Sequence, residues 1–156
     1  MKVNGTPYRT IWLANDGWAA EIIDQTKLPH EFVTVRLETM KDAAIAIKDM
    51  WVRGAPLIGA TAAYGVALAM REDASDANLG AMYDHLFATR PTAVNLRWAL
   101  DDMKALLSPL AEGEREAAAY KRAAEICDDD VEICSNIGEH GAAIIKEISE
   151  KKNGAT

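Results

Sequence analysis

Cysteine and histidine are scarce in this chain, and basic residues are outnumbered. Two cysteines occur in 156 residues, Cys127 and Cys134. On what reads as one helix they are ~10 Å apart in rise, beyond the reach of a disulfide. They form no CxxC pair and have no histidine at metal-ligand spacing, so they read as small core residues. The histidines are His30, His85 and His140. None lies near a serine, cysteine or carboxylate at a spacing that proposes a catalytic triad. Lys and Arg number 17 against 24 Asp and Glu, for a formal charge of −7. No segment is a basic stripe, which argues against a nucleic-acid footprint, although an anionic small molecule needs only a few local cations. No long hydrophobic run is present. Leu57–Met70 is the most apolar segment, but it is too short to span a bilayer and is interrupted by Thr61 and Tyr64. Residues 1–15 alternate polar and apolar types and do not read as a signal peptide, so the cytosol is the default compartment. A Walker-type phosphate loop, a dinucleotide fingerprint, internal repeats and low-complexity tracts are all missing.

What is there has the length of one domain, with 49% hydrophobic residues to build a core. Residues 8–38 read as β structure. Arg9–Leu13 alternates, Asn15-Asp16-Gly17 is a turn signal, Trp18–Asp24 suits a returning strand, and Phe32–Arg36 a third. So small a sheet must pack on helices. From Thr39 the period becomes helical. Thr39-x-x-Asp42 is a plausible cap, with Ala43, Ile47, Met50 and Trp51 on one face. Pro56 opens an apolar helix to about Arg71, in which Gly59, Ala63 and Ala67 allow close contact. Ser75 or Asp76 caps a third helix through Leu79, Met82, Leu86 and Phe87. Thr92 is placed to cap a fourth carrying Leu96, Leu100, Met103 and Leu107, ended by Ser108-Pro109. A long helix follows Gly113, with Tyr120, Ala124, Cys127, Val131, Cys134, Ile137, Ile144 and Ile148 as a narrow apolar stripe. The run Asp128-Asp129-Asp130 reads as a solvated face. Lys151-Lys152-Asn153-Gly154 reads as a helix stop. The fold class expected is α+β, mostly helical: a small N-terminal antiparallel sheet, then a helical bundle with a long C-terminal helix.

Two segments carry possible chemistry. In Met50-Trp51-Val52-Arg53-Gly54-Ala55-Pro56, Pro56 suits a first helical turn, Gly54 permits φ > 0 or close approach, and Arg53 sets a permanent cation beside free helix-start N–H groups. That combination suits a phosphate. The competing reading is a tight helix–helix turn with a surface arginine. Thr89-Arg90-Pro91-Thr92 repeats the arrangement, with an exposed loop arginine as the alternative. Two arginine-bearing helix starts from separate parts of the chain could converge on one phosphate.

Taken together, Arg53-Gly54-Ala55-Pro56-Leu57-Ile58-Gly59 and Thr89-Arg90-Pro91-Thr92-Ala93-Val94-Asn95-Leu96-Arg97-Trp98-Ala99 resemble the methylthioribose-1-phosphate isomerase family, which is related to the α, β and δ subunits of initiation factor 2B. The likeness extends from the Trp12-to-Asp24 strands to Lys152-Asn153-Gly154. It implies that residues 1–156 are an N-terminal domain (1–38 a β-sheet subdomain, 39–156 a helical bundle) and that the family's Rossmann-like domain is absent from this chain. It implies an aldose–ketose isomerisation of 5-methylthioribose 1-phosphate in methionine salvage, with Arg53, Gly54, Ala55 and Arg90 touching substrate. The family's catalytic cysteine lies in a Thr-x-Cys-Asn-Ala-Gly motif and its acid is an aspartate further on. Neither Ile126-Cys127-Asp128 nor Ile133-Cys134-Ser135 matches, so no catalytic residue is assigned here, and no metal or cofactor. The partners expected are a phosphorylated pentose and the missing C-terminal domain, with a homodimer as a further option. A non-catalytic regulatory or subunit-interaction module of the same family is the other reading.

Overall fold

The structure is a computed structural model that describes residues 2–152. Its backbone divides into two compact units, one running to Ile126 and one from Cys127 onward.

The first unit opens with a short hairpin, β1 (Lys2–Val3) and β2 (Thr6–Pro7). Asn4 and Gly5, with φ of 49° and 84°, make its turn. An Asn-Gly pair is the strongest short hairpin signal, because its backbone twist matches that of the strands. The sequence reading, which began the β region at Tyr8, missed it.

A three-stranded antiparallel sheet follows in the order β3 (Ile11–Leu13), β4 (Ala20–Ile23), β5 (Thr34–Leu37). Trp12 pairs with Glu21 and Glu21 with Arg36. The alternation therefore puts Ile11, Ala20, Ile22 and Leu37 on one face, where all four are buried. The Asn15-Asp16-Gly17 turn forms as expected. Asp16 accepts from the Trp18 and Ala19 amides and pairs with Arg36 across the sheet. That guanidinium holds the Asp16 carboxyl below the usual carboxylate range. Trp18 lies between Arg36 and Arg71, whose guanidinium carbons stand 4.9 and 4.6 Å from its ring, and this fastens the sheet to the end of the second helix.

Five helices follow among the described residues: α1 (Met40–Lys48), α2 (Ala55–Glu72), α3 (Asp76–Thr89), α4 (Val94–Leu107) and α5 (Glu112–Lys151). The capping box at Thr39 and Asp42 is present. Met50 and Trp51 do not share α1's buried face. The helix stops at Lys48, Met50 takes φ +59° and its side chain is 43% exposed. α2 is the core helix, buried at every position from Leu57 to Met70, and it packs on α1, α3 and α4. The buried Thr61 hydroxyl donates to the Leu57 carbonyl at 2.7 Å. Glycine is needed twice along α2. A Cβ on Gly59 would lie 3.0 Å from the Asn95 carbonyl, and one on Gly65 would lie 3.0 Å from Ala43 Cβ. Ser75 caps α3 by accepting from the Asn78 amide. Leu96, Leu100, Met103 and Leu107 of α4 are all fully buried, as their spacing predicts. Thr92 does not cap α4, because the N-cap is Ala93 and no side chain bonds there.

Arg115 is the polar pin of this unit. It is 3% exposed, and it donates to the carbonyls of Leu107, Leu110 and Ala74 at 2.8–3.1 Å and to Asp76 at 2.6 Å. A guanidinium presents several donors in a fixed fork, so one side chain closes carbonyls left open at the end of α4 and ties them to the start of α3.

The stripe foreseen on the last helix is partly overturned. Ala119, Ala123, Ile126 and Cys127 are buried, whereas Ala124 is exposed. In the second unit Val131, Ile133, Ile137, Ile144, Ile145 and Ile148 are 46–69% exposed. Cys134 is likewise exposed rather than in a core. Helical spacing sets which residues share a face, but it does not provide something for that face to cover. The stop assigned to Asn153-Gly154 lies outside the described residues. No helix among the described residues is long and apolar enough to cross a membrane.

Candidate functional site

The Arg53 segment is built by the way α1 ends. The Met50 amide donates to the Ile47 carbonyl and the Trp51 amide to that of Ala46. These bonds form a Schellman closure with a left-handed residue at its pivot, a place usually held by glycine. Val52 is then fully buried, so the chain is anchored one residue before Arg53. The Trp51 carbonyl accepts from the Gln25 amide at 2.8 Å, which ties the segment to the loop leaving β4. Arg53 is exposed, and its Nε donates to the Met50 carbonyl at 3.3 Å. Gly54 has φ +92° and ψ 133° and is the N-cap of α2. Ala55 and Pro56 form the first turn, and the Gly54 carbonyl accepts from the Ile58 amide.

The Arg90 segment is similar. Arg90 is half-buried and ends α3. Its carbonyl accepts from the Ala93 amide at 2.9 Å in the turn that leads into α4.

The helix starts fall into two kinds. α1 and α3 are capped by Thr39 and Ser75 and carry Asp42 and Asp76 in their first turns. α2 and α4 have no side-chain cap and no acidic residue in the first turn. The opening N–H groups of a helix have no partner within it and attract negative charge. Among α1 to α4, the two that start without a side-chain cap are the two that follow Arg53 and Arg90, whereas α5 starts with Glu112 and Glu114 in its first turn.

Packing brings these two starts together. Gly59, one turn into α2, lies against Asn95 and Ala99 in the first turns of α4. The preceding helices also meet, since Lys48 at the end of α1 and Thr89 at the end of α3 line one cavity with His85 and Lys41. Both arginine segments therefore leave adjacent helix ends and enter touching helix starts. The guanidinium groups themselves are not joined in the concavity at the start of α4. That surface is lined by residues 91–94 with Arg97, Trp98 and Asp101, and it includes neither Arg53 nor Arg90.

Val94, 79% exposed, and Trp98, 49% exposed, form an apolar pair on this shoulder to which sequence reading gave no role. Their i, i+4 spacing outside the Leu96–Leu100–Met103 stripe is the signal that could have found them. Of the histidines, His85 faces the cavity between α1 and α3, and His30 and His140 are exposed. Among the described residues no cluster of His, Cys, Asp or Glu could hold a metal ion.

A small antiparallel sheet on a bundle whose central helix starts beside Arg53 defines a class of α+β domain. Residues 51–151 match the model of the initiation factor 2 subunit family, and the chain belongs to that family. It is 67% identical over 153 residues to a methylthioribose-1-phosphate isomerase of Paramagnetospirillum magneticum, covering 98% of this chain and 42% of that protein. The structure is similar to the crystal structure of 5-methylthioribose 1-phosphate isomerase from Pyrococcus horikoshii OT3, with TM-score 0.79 and 36% identity over 87% of this chain and 40% of that one. It is also similar to the translation initiation factor eIF-2B delta subunit from A. fulgidus, with TM-score 0.73 and 34% identity over 81% of this chain and 38% of that one. The chain thus spans about two fifths of the length of the relatives it matches.

Proposed function

We propose that this chain is the substrate-gripping part of an aldose–ketose isomerase that converts 5-methylthioribose 1-phosphate to 5-methylthioribulose 1-phosphate in methionine salvage. The observation that carries the reading is the pair of uncapped, acid-free helix starts that follow Arg53 and Arg90 and touch at Gly59 and Asn95, in a chain two-thirds identical to an isomerase of that name. Moving a carbonyl between neighbouring carbons requires the sugar ring to open and a proton or hydride to move. The role assigned to this chain is to hold the phosphate while that happens, so that binding energy becomes positioning. Arg53 and Arg90 supply charge, and the backbone at Gly54 and Ala55 supplies N–H donors. The acid and base come from the part of the longer relatives that this chain does not cover, so the chain alone binds weakly and turns nothing over. The same proposal carries a cytoplasmic location and no resident cofactor.

The test is a chimera in which this chain replaces the matching part of the P. magneticum isomerase. A charge-assisted hydrogen bond is worth ~1.5–3 kcal/mol when shielded, so Arg53→Ala and Arg90→Ala should each lower kcat/KM by roughly ten- to a hundredfold. Undiminished kcat/KM in both variants would end the reading. The likeness to the A. fulgidus delta subunit favours a second reading, a non-catalytic module that senses a phosphorylated metabolite or packs against other subunits. A chimera that binds a nucleotide in preference to the pentose phosphate would select it.

A further inference from the structure

We infer that Asp24 is a positioning residue for the anion grip, acting through the Gln25 amide on the Arg53 segment. The inference rests on the phosphate reading of that segment.

The loop leaving β4 is built around the Asp24 carboxylate. Asp24 is 6% exposed, unusual for a carboxylate. Its Oδ1 accepts twice from Thr26, from the amide at 2.9 Å and from the hydroxyl at 2.6 Å. An aspartate that accepts from the amide two residues on makes an Asx turn. Such a turn fixes the peptide in between, leaving the Gln25 N–H free to point away from the loop. That N–H donates to the Trp51 carbonyl at 2.8 Å. The other side of the Asp24 corner is held by its own amide, which donates to the Val33 carbonyl at 2.9 Å. The β4–β5 connection is therefore a rigid bracket with one donor aimed at the turn between α1 and α2.

That turn needs a bracket. Met50 holds a left-handed φ of +59°, unfavoured for a residue with a Cβ, and Gly54 holds a φ of +92° that only glycine adopts freely, so the chain turns sharply on both sides of Arg53 within four residues. Conformations of this kind persist when surrounding contacts over-determine them. Three contacts do so here. The Trp51 and Val52 amides both donate to the Ala46 carbonyl, the Val52 side chain is buried, and the Gln25 amide holds the Trp51 carbonyl. The first two tie the segment to the helices, and the third ties it to the sheet. Without Asp24 the Gln25 N–H loses its aim and the peptide joining Trp51 to Val52 is held from one side only. The guanidinium two residues on then loses its registration to the start of α2. Asp24 touches no substrate in this arrangement.

Amide exchange and phosphate titration of this chain by NMR test the inference together. In Asp24→Ala, exchange of the Trp51 and Val52 amides should rise about tenfold or more while core amides of α4 change little, because the opening is local. In Asp24→Asn, which keeps an oxygen to accept from Thr26, exchange should stay within about threefold of the native chain. Inorganic phosphate should shift the Gly54 and Ala55 amides of the native chain, with apparent affinity roughly fivefold weaker in Asp24→Ala and restored in Asp24→Asn. Native exchange at Trp51 and Val52 in Asp24→Ala, or a rise shared equally by the α4 amides, overturns the bracket. Phosphate that shifts neither the Gly54 nor the Arg90 segment of the native chain overturns the anion reading, and the positioning role with it, whatever the exchange shows.

Discussion

Gly54→Ala isolates backbone strain from steric clash. The glycine has φ +92° and ψ 133°, a region where residues with a Cβ are disfavoured. Holding alanine there costs on the order of 1–3 kcal/mol. The unfolded chain loses freedom in the variant, which returns about 0.4–1 kcal/mol, and the net loss is roughly 1–2 kcal/mol. No steric cost is added, because nothing lies within 4 Å of a Cβ built at this position. For a chain of this size each kcal/mol moves Tm by about 2–4 °C, so a fall of roughly 2–8 °C is expected. Urea unfolding gives the same quantity as a lower midpoint at constant slope. Gly80→Ala is the matched control: it is helical, equally open, and has no positive φ to lose, so it should stabilise by about 0.5–1 kcal/mol. If position 54 relaxes toward negative φ to accommodate alanine, the adjacent Arg53 swings with it, and phosphate affinity should fall about tenfold. A Gly54→Ala chain as stable as native, with phosphate binding intact, would refute the assignment of strain and the geometric role of Gly54 together.

Arg115→Met keeps the length of the stem and removes every donor. It leaves the Leu107, Leu110 and Ala74 carbonyls without that partner, and a loss of about 3–5 kcal/mol by urea unfolding is expected. A loss under about 1 kcal/mol would show that water replaces the guanidinium. Met50→Gly relaxes the left-handed pivot at the end of α1, where the side chain is 43% exposed and little burial is lost. A gain of about 0.5–1 kcal/mol should appear in the unfolding midpoint. Among the described residues the Tyr120 hydroxyl is buried without a hydrogen-bond partner, and burial pushes its pKa up to about 12. A pKa raised on folding gives stability that is complete below the unfolded value near 10 and is lost as pH climbs toward 12. Tyr120→Phe should remove that alkaline slope and match or exceed native stability at neutral pH, as read from Tm against pH.

Local rules carried much of this chain without help from the fold. The Thr39–Asp42 capping box, the Asn15-Asp16-Gly17 turn, the start of α2 near Pro56 and the four buried positions of α4 each depend on residues within a few positions of one another, and such effects survive in any context. The assignment of Arg53, Gly54, Ala55 and Arg90 to a phosphate grip is likewise a local reading, because an arginine before a helix start is a local pattern, and it stands as a proposal. What stayed hidden depends on partners distant in sequence. The pairing of the α2 and α4 starts rests on Gly59 meeting Asn95. The pin at Arg115 reaches back to Ala74 and Asp76, and the bracket on the Arg53 turn comes from Gln25. Periodicity misled on the last helix for the same reason. An apolar stripe at Val131, Ile137 and Ile144 records a face to be covered, and whether anything covers it within these residues is decided by packing, which leaves those side chains in solvent. The amino-acid order alone determined which residues could grip an anion, since charge, φ freedom and helix-start donors are properties of a few neighbouring residues. Only the tertiary structure decided that the starts of α2 and α4 lie side by side, because that juxtaposition comes from the close approach of α2 to α4, made possible where Gly59 has no side chain.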